Sequence, residues 1–219
     1  IHDVAVQNLD DTFALDRAGL VGEDGPTHSG NYDIAYLRCI PNIILMTPSD
    51  ENETRLLLTT AFKHKGPAAV RYPRGTGPNA SVNSDLEGAG IGKARVIRES
   101  NSNVVFLNFG ALLDKALEVS EKMDFTLIDM RFVKPLDHEI LKKYLSKADY
   151  FLSLEDGSIA GGAGSAVQEF CSIESIDIKS ILFGIPDRFI EHSSREEMLE
   201  SAGLSVAKIL DRLKSLLEK

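Results

Sequence analysis

The sequence contains no tryptophan, only two cysteines and no long apolar run, and each absence excludes a class of protein. Cys39 and Cys171 cannot supply the disulfide framework of a small secreted domain or a zinc site. No apolar run approaches the ~20 residues that cross a bilayer. Positive charge is also scarce: 24 Lys and Arg face 33 Asp and Glu, and a net charge of −9 argues against nucleic acid as a main partner. We therefore expect no nucleic acid, no membrane and a reducing, cytoplasmic compartment.

What is present is an α/β pattern in two blocks. The first block predicts a helix over Ile1–Leu9, a strand over 12–16, a long Gly-rich loop and a short helix over 32–38. A buried-type strand over 43–46 follows, then a helix with Ser49 as its N-cap. That helix stops at Gly66-Pro67, and the next strand covers 68–72. The order of strand, helix and strand predicts a parallel crossover.

A stretch over 76–90, rich in Gly, Asn and Ser, is typical of a linker and separates the second block. The second block predicts strands near 92–98, 103–109, 126–130, 150–154 and 178–183. It predicts helices near 111–123, 137–146, 162–172 and 205–217, the second of them capped by Asp137. Alternation of this kind predicts sheets covered by helices.

Two stretches follow predicted strands and carry groups that could bind a ligand. The loop DRAGLVGEDGPTHSGNYD (16–33) offers Arg17, Asp24 and His28 beyond the carboxyl end of a strand, where open α/β sheets bind ligands. A solvated loop with Asp and Asn turns is an equally good interpretation. The segment AVRYPRG (69–75) offers Arg71 and Arg74, which lie three apart around Pro73 and are expected to point differently. They form either an anion clamp or a pair of surface arginines in a turn.

Three other features favour ordinary packing. The Gly-rich turn EDGSIAGGAGSAV (155–167) lacks the Lys-Ser/Thr of a phosphate loop, which favours close helix packing or a subunit contact. Cys39 and Cys171 have apolar neighbours and are predicted to be small buried side chains. The remaining histidines show no metal-ligand spacing, so no metal site is predicted in this chain.

Taken in order, these strings resemble the 1-deoxy-D-xylulose-5-phosphate synthase family of transketolase-like thiamine diphosphate enzymes. The resemblance rests on 16–33, YLRCIPNIILMTPSDENE (36–53) and AVRYPRG, and continues in the second block through these strings: LNFGALL, DMRFVKPLD, EDGSIAGGAGSAV and GIPDRFIEH. It implies part of a pyrimidine-type thiamine-diphosphate-binding α/β domain over 1–79 and a linker over 80–90. A three-layer α/β/α domain of the transketolase C-terminal type follows over 91–219.

The resemblance also implies an activity, cofactors and residue roles. The family condenses pyruvate with D-glyceraldehyde 3-phosphate, releases CO2 and uses thiamine diphosphate with Mg²⁺. Arg17 and Arg74 match the arginines that hold the aldehyde's phosphate, and His28 matches a histidine near the reacting carbon. Asp24 matches an aspartate that binds the acceptor's hydroxyls or steadies the site, while Gly25 and Gly30 match permissive backbone positions.

The family's metal-binding and diphosphate-binding residues and its activating glutamate have no match in this chain and are expected upstream of Ile1. The chain, which begins with Ile rather than Met, is therefore expected to be a C-terminal piece that is inactive alone, from a homodimeric enzyme. A plant or algal source would place it in the plastid stroma. Two alternatives stay open: a small subunit of a split transketolase-like enzyme, and a non-catalytic oligomerisation module.

Overall fold

The computed structural model describes residues 1–217 and contains two α/β units. The first unit consists of β1 (Thr12–Leu15), α1 (Asp33–Leu37), β2 (Ile44–Met46), α2 (Glu51–Lys63) and β3 (Ala68–Arg71). Strands β1, β3 and β2 pair in parallel in that order, which confirms the predicted crossover. Segment 76–90 contains no helix or strand and is mostly exposed, as expected of a linker.

The second unit is a five-stranded sheet between two layers of helices. Its elements are β4 (Arg95–Arg98), β5 (Val104–Phe109), α3 (Leu113–Met123), β6 (Thr126–Asp129), β7 (Phe132–Lys134), α4 (His138–Leu145), β8 (Tyr150–Ser158), α5 (Ala163–Ile173), β9 (Lys179–Ile185), α6 (Arg195–Ser201) and α7 (Val206–Leu217). The strand order is β4-β6-β5-β8-β9, with only β4 antiparallel to its neighbour. Helices α3, α6 and α7 cover one face, and α4 and α5 cover the other. The predicted α/β class with three layers in this unit is confirmed.

The two units are joined by a strand and by a shared core. Strand β7 was not predicted from the sequence. It lies in the second unit along the chain, but it pairs antiparallel with β2 at the edge of the first sheet. Leu45 and Ala69 of the first sheet lie in the same buried cluster as Val105 and Leu107 of the second. The units therefore bury a continuous apolar layer, in which Ile34 of α1 also lies.

Ion pairs at the base of α2 reinforce this junction. Glu53, which is buried, accepts hydrogen bonds of 2.7 Å from Nε and Nη2 of Arg131 in the second unit. Arg95 donates to Asp129 at 2.9 Å and to Ser49 at 2.9 Å. Burial raises the pKa of Asp129, although Arg95 and Ser49 oppose this shift by stabilising the carboxylate.

Two predictions of local structure were wrong. Ile1–Leu9 forms hydrogen-bonded turns, including Val6 N–H to the Ile1 carbonyl and Leu9 N–H to the Val4 carbonyl, both 3.1 Å. Only Ala5 of its apolar side chains is buried, so the helical spacing has no core to face. The N-cap of α2 is Asp50, whose side chain accepts from Glu53 N–H at 2.7 Å, whereas Ser49 bonds Asp129 instead.

Other boundaries also differ from the sequence pattern. Strand β8 runs on to Ser158 through the acidic pair Glu155 and Asp156, which are both buried. Helix α6 was missed, although Ser194 and Glu197 form the capping box that marks such a start. Cys39 is exposed, contrary to prediction, while Cys171 is buried as predicted. None of the helices described in residues 1–217 is long and apolar enough to pass through a membrane.

Candidate active site at the ends of strands β1 and β3

Arg17 and Arg74 leave the first sheet from neighbouring strand ends. Leu15 of β1 is the register partner of Arg71 of β3, so the residues that follow each strand share one edge of the sheet. Backbone hydrogen bonds continue the pairing past the strands, from Tyr72 N–H to the Leu15 carbonyl and from Ala18 N–H to the Tyr72 carbonyl, both 3.0 Å. The parallel sheet thus brings together two guanidinium groups that the sequence separates widely.

The loop after β1 folds back on itself. Gly30 N–H donates to the Arg17 carbonyl at 3.1 Å, and Gly19 N–H donates to the Gly30 carbonyl at 2.9 Å. A side chain at Gly30 would collide with the Arg17 backbone, so this crossing requires glycine. Arg17 itself has a φ of 63°, a left-handed conformation that is uncommon outside glycine, Asn and Asp. Such strain often accompanies functional positions.

Asp24 lies between the two arginines. Its Oδ2 accepts a short hydrogen bond from Arg74 and lies 4.0 Å from Nε of Arg17, which also pairs with Asp16 at 2.7 Å. The side chains of Arg17 and Arg74 are 45% and 46% exposed, so both remain open to a ligand. The structure therefore joins three of the four predicted site residues in one acid-base cluster, which we call the exposed cluster: Arg17, Asp24 and Arg74.

His28 lies on the same loop but apart from that cluster. It is exposed, and its Nδ1 is 2.9 Å from the Thr27 hydroxyl. Within residues 1–217 no hydrogen bond or ion pair joins His28 to Asp24. Their spacing of four in the sequence does not bring them together here.

A second, buried cluster lies beneath the loop and consists of Asp33, Arg71 and Asp156. Arg71 donates from Nε to Asp33 and from Nη1 to Asp156, each at 2.7 Å, and from Nη2 to the Gly30 carbonyl at 3.1 Å. Its side chain is only 1% exposed. Burial opposes its charge, but Asp156 and Asp33 outweigh burial and raise the pKa of Arg71. As predicted, Arg71 and Arg74 point to different places.

Glu155 adds a further buried carboxylate at the start of α5. Its two oxygens accept from Ala163 N–H at 2.8 Å and Gly164 N–H at 2.9 Å, which satisfies the first turn of that helix. Burial raises the pKa of Glu155 to about 7, and the two backbone N–H groups oppose that shift. A Cβ at Gly164 would lie 2.9 Å from Leu182 Cδ2, so the predicted close packing at the Gly-rich turn is confirmed.

The sequence analysis named neither Asp33 nor Asp156, which carry the buried cluster. The available signal was the position of two acids: Asp33 closes the Gly-rich loop, and Asp156 follows the apolar run of β8. Lone acids at such places are common, and only the fold shows that both face Arg71. The predicted absence of a metal site is not tested, although no three His, Cys, Asp or Glu side chains cluster suitably within residues 1–217.

Comparison with known families accounts for the two units. Residues 92–209 match the profile described as transketolase, C-terminal domain, and residues 1–79 match that of transketolase, pyrimidine binding domain. The chain belongs to the transketolase family. A transketolase-type pyrimidine domain explains the parallel first sheet, and the C-terminal profile explains the five-stranded sheet with its two helix layers.

Two curated relatives of this transketolase-family chain carry the same name. The chain is 54% identical over 209 residues to the 1-deoxy-D-xylulose-5-phosphate synthase of Stutzerimonas stutzeri. That alignment covers 95% of this chain and 33% of that protein. It is 51% identical over 218 residues to the synthase of Hahella chejuensis, covering 100% of this chain and 34% of that protein. The chain thus spans about a third of the length of the curated relatives it matches.

A solved structure agrees with this assignment. The chain matches the one titled "Split gene transketolase, inactive beta4 tetramer" with a TM-score of 0.84 and 26% identity. The match covers 98% of this chain and 69% of that chain, so both units align together. The arrangement of the two units is therefore also found in a solved transketolase.

Proposed function

We propose that this chain is the acceptor-binding part of a 1-deoxy-D-xylulose-5-phosphate synthase. The whole enzyme condenses pyruvate with D-glyceraldehyde 3-phosphate and releases CO2. The observation that carries the proposal is the exposed cluster, in which two half-exposed guanidinium groups meet at the end of a parallel sheet. The identity of 51–54% to proteins of that name over almost the whole chain supports it.

In this proposal Arg17 and Arg74 hold the aldehyde's phosphate. Guanidinium groups bind phosphate oxygens with paired, charge-assisted hydrogen bonds. Each such bond contributes roughly 1.5–3 kcal/mol. The Asp24 carboxylate now pairs with both arginines, and phosphate binding would release it to accept hydrogen bonds from the acceptor's hydroxyls.

His28 is the proposed proton-handling group. An imidazole that titrates near neutral pH can donate a hydrogen bond to a carbonyl oxygen and exchange a proton with it. Its exposure on the loop that also carries Arg17 and Asp24 supports this role. Its role is tested by turnover of His28→Gln, in which kcat should fall while KM for D-glyceraldehyde 3-phosphate changes little.

Thiamine diphosphate and Mg²⁺ belong to the proposed enzyme, and the described residues do not fit the metal. Residues 1–217 contain no cluster of three His, Cys, Asp or Glu suited to a metal ion. We therefore assign no metal or diphosphate ligand to this chain and derive no step through the cofactor. The proposed division into 1–79, a linker over 80–90 and 91–219 leaves that task to another part of the enzyme.

The proposal predicts that the 219-residue chain alone does not turn over substrate. Purified chain is incubated with pyruvate, D-glyceraldehyde 3-phosphate, thiamine diphosphate and Mg²⁺, and CO2 release is measured. The enzyme extended by its cofactor-binding part is the positive control. Turnover by the chain alone would refute its assignment as an acceptor-binding part, and no turnover by the extended enzyme would refute the activity.

A second candidate is a small subunit of a split transketolase-like enzyme. The match to a structure titled a split-gene transketolase tetramer favours it, because 98% of this chain aligns with that chain. In that case a separate protein would restore turnover to the 219-residue chain without a covalent link. Sedimentation of the mixture distinguishes a stable complex from a non-catalytic oligomerisation module, which would self-associate and gain no activity.

A further inference from the structure

A segment of the second unit forms one side of the candidate site. Residues 192–195, which lead into α6, pack against the loop that carries Asp24. A Cβ on Gly25 would lie 3.0 Å from the His192 Cβ, and one on Gly22 would lie 3.6 Å from the Arg195 backbone nitrogen. The second unit is thus in van der Waals contact with the backbone on both sides of Asp24.

Arg195 has hydrogen-bonding capacity that the structure leaves unused. Within residues 1–217 its only side-chain hydrogen bond runs from Nη2 to Asp156 Oδ2 at 3.4 Å, while the other oxygen of Asp156 accepts from Arg71 at 2.7 Å. Its Nε is buried and has no partner among the described residues. A guanidinium carries five N–H donors, and a buried donor without a partner is costly. The side chain is still 26% exposed, so a ligand can reach it.

Arg195 and Arg74 line the same cavity between the two units, which has a volume of about 690 Å³. Most acids in its wall already have partners: Asp50 caps α2, Glu51 accepts from the backbone N–H groups of 79 and 80, and Glu196 pairs with Lys115 at 2.8 Å. Asp114 also lines the wall. Arg195 is therefore the cation of this cavity whose guanidinium keeps N–H donors available to an anion.

We infer that Arg195 is a third guanidinium for the phosphate of the aldehyde acceptor, supplied by the second unit. The inference rests on the proposed function, because that function supplies the phosphate. A phosphate dianion has three terminal oxygens and can accept from several arginines at once. Arg74 lines the cavity from the first unit and Arg195 lines it from α6, so a phosphate bound there would link the two units.

The test uses the full-length enzyme with thiamine diphosphate and compares Arg195→Gln with Arg188→Gln. Arg188 is a matched control because it bonds the Ser201 carbonyl at the other end of α6 at 2.6 Å and does not line the cavity. For Arg195→Gln we expect KM for D-glyceraldehyde 3-phosphate to rise about 10- to 100-fold, and KM for D-glyceraldehyde to change less than about threefold. Arg188→Gln should change neither. Equal changes for both aldehydes in Arg195→Gln would overturn the inference.

A binding measurement separates this inference from the proposed function. Calorimetry of the same proteins with glycerol 3-phosphate and with glycerol needs no turnover. We expect Arg195→Gln to weaken glycerol 3-phosphate binding about tenfold or more, and Arg195→Lys to weaken it less because the charge is kept. If the full-length enzyme shows no turnover but Arg195→Gln still binds glycerol 3-phosphate more weakly than wild type, the role of Arg195 is supported and the proposed synthase activity is refuted. Unchanged glycerol 3-phosphate binding in Arg195→Gln would refute the assignment of Arg195 to the phosphate. If Arg195→Gln does not fold, unchanged binding in both Arg195→Lys and Arg195→Met would refute it instead.

Discussion

Two clusters of arginine and aspartate are centred on Arg71 at the end of β3 and on Arg74, three residues later, and they differ in almost every physical respect. The exposed cluster of Arg17, Asp24 and Arg74 has half-exposed guanidinium groups and a single shared carboxylate. In the buried cluster, Arg71 is 1% exposed and makes hydrogen bonds to two carboxylates and two backbone carbonyls. The same residue types therefore serve two purposes: an open cluster can exchange its carboxylate for a ligand, and a closed one fixes the loop.

The sharpest way to break this comparison is to remove each central arginine in turn. Arg71→Leu leaves Asp33 and Asp156 buried without their cation, so we expect the free energy of unfolding to fall by about 3–5 kcal/mol. Arg74→Ala removes a solvent-exposed pair and should cost no more than about 1 kcal/mol. Urea unfolding followed by circular dichroism measures both values. Similar losses for the two variants would show that burial does not separate the clusters.

For discrimination between phosphorylated and non-phosphorylated aldehydes, we expect Arg74 to matter more than Arg71. In the full-length enzyme, Arg74→Ala removes a charged hydrogen bond to the acceptor's phosphate, which corresponds to roughly 1.5–3 kcal/mol, about 10- to 100-fold in kcat/KM. The non-phosphorylated aldehyde should lose much less. Steady-state kinetics with both aldehydes checks this, and Arg188→Ala, at an exposed residue that does not line the cavity, is the control. Equal losses with both aldehydes would remove the phosphate assignment.

The pH dependence of stability sharpens the contrast at Glu155, next to the buried cluster. Because its folded pKa is about 7 against an ordinary value of 4.5, the folded state binds the extra proton between these values. Its contribution to stability is therefore present below about pH 4.5 and is lost as pH rises through 7. Between pH 5 and 8 the free energy of unfolding of wild type should therefore fall by about 1–3 kcal/mol more than that of Glu155→Gln. Parallel stability curves for the two proteins across this range would contradict the assignment.

The smallest expected effect concerns backbone strain in the exposed cluster. Arg17→Gly and Arg17→Gln both remove the charge, but only glycine adopts the φ of 63° without strain. We expect Arg17→Gly to be more stable than Arg17→Gln by about 1 kcal/mol, while both lose phosphate binding. Thermal unfolding of the two variants gives the difference. A glycine variant no more stable than the glutamine variant would show that the conformation carries no strain.

Much of the fold was predictable because it depends on local pattern. The apolar run of β2, the cap at Asp137 and the stripe of α7 predicted their elements with small errors of boundary. Strand β7 was not predictable, since three residues before Pro135 carry little pattern and pair with a distant strand. Ile1–Leu9 shows the opposite error. Its apolar side chains have helical spacing, but most of them are not buried against a core, and the segment forms turns.

The candidate site was predictable only in part, for a related reason. Motif resemblance selected Arg17, Asp24, His28 and Arg74, and the fold joins three of them. The support beneath them, Arg71 with Asp33 and Asp156, depends on contacts between segments that lie far apart in the chain. Charge-charge contacts of this kind carry no local signal, so only the three-dimensional structure reveals them.

Strand β7 has a consequence for how the protein is held together. The second unit contributes an edge strand to the first sheet, and the buried cluster and the Glu53–Arg131 pair clasp the same junction. We therefore expect the exposed segment 76–90 not to be needed as a tether between the units. After a protease cut within this segment, or its division between two genes, we expect the two polypeptides to stay associated through the buried, non-covalent interface between the units. Physical separation of the halves would require unfolding, not merely cleavage.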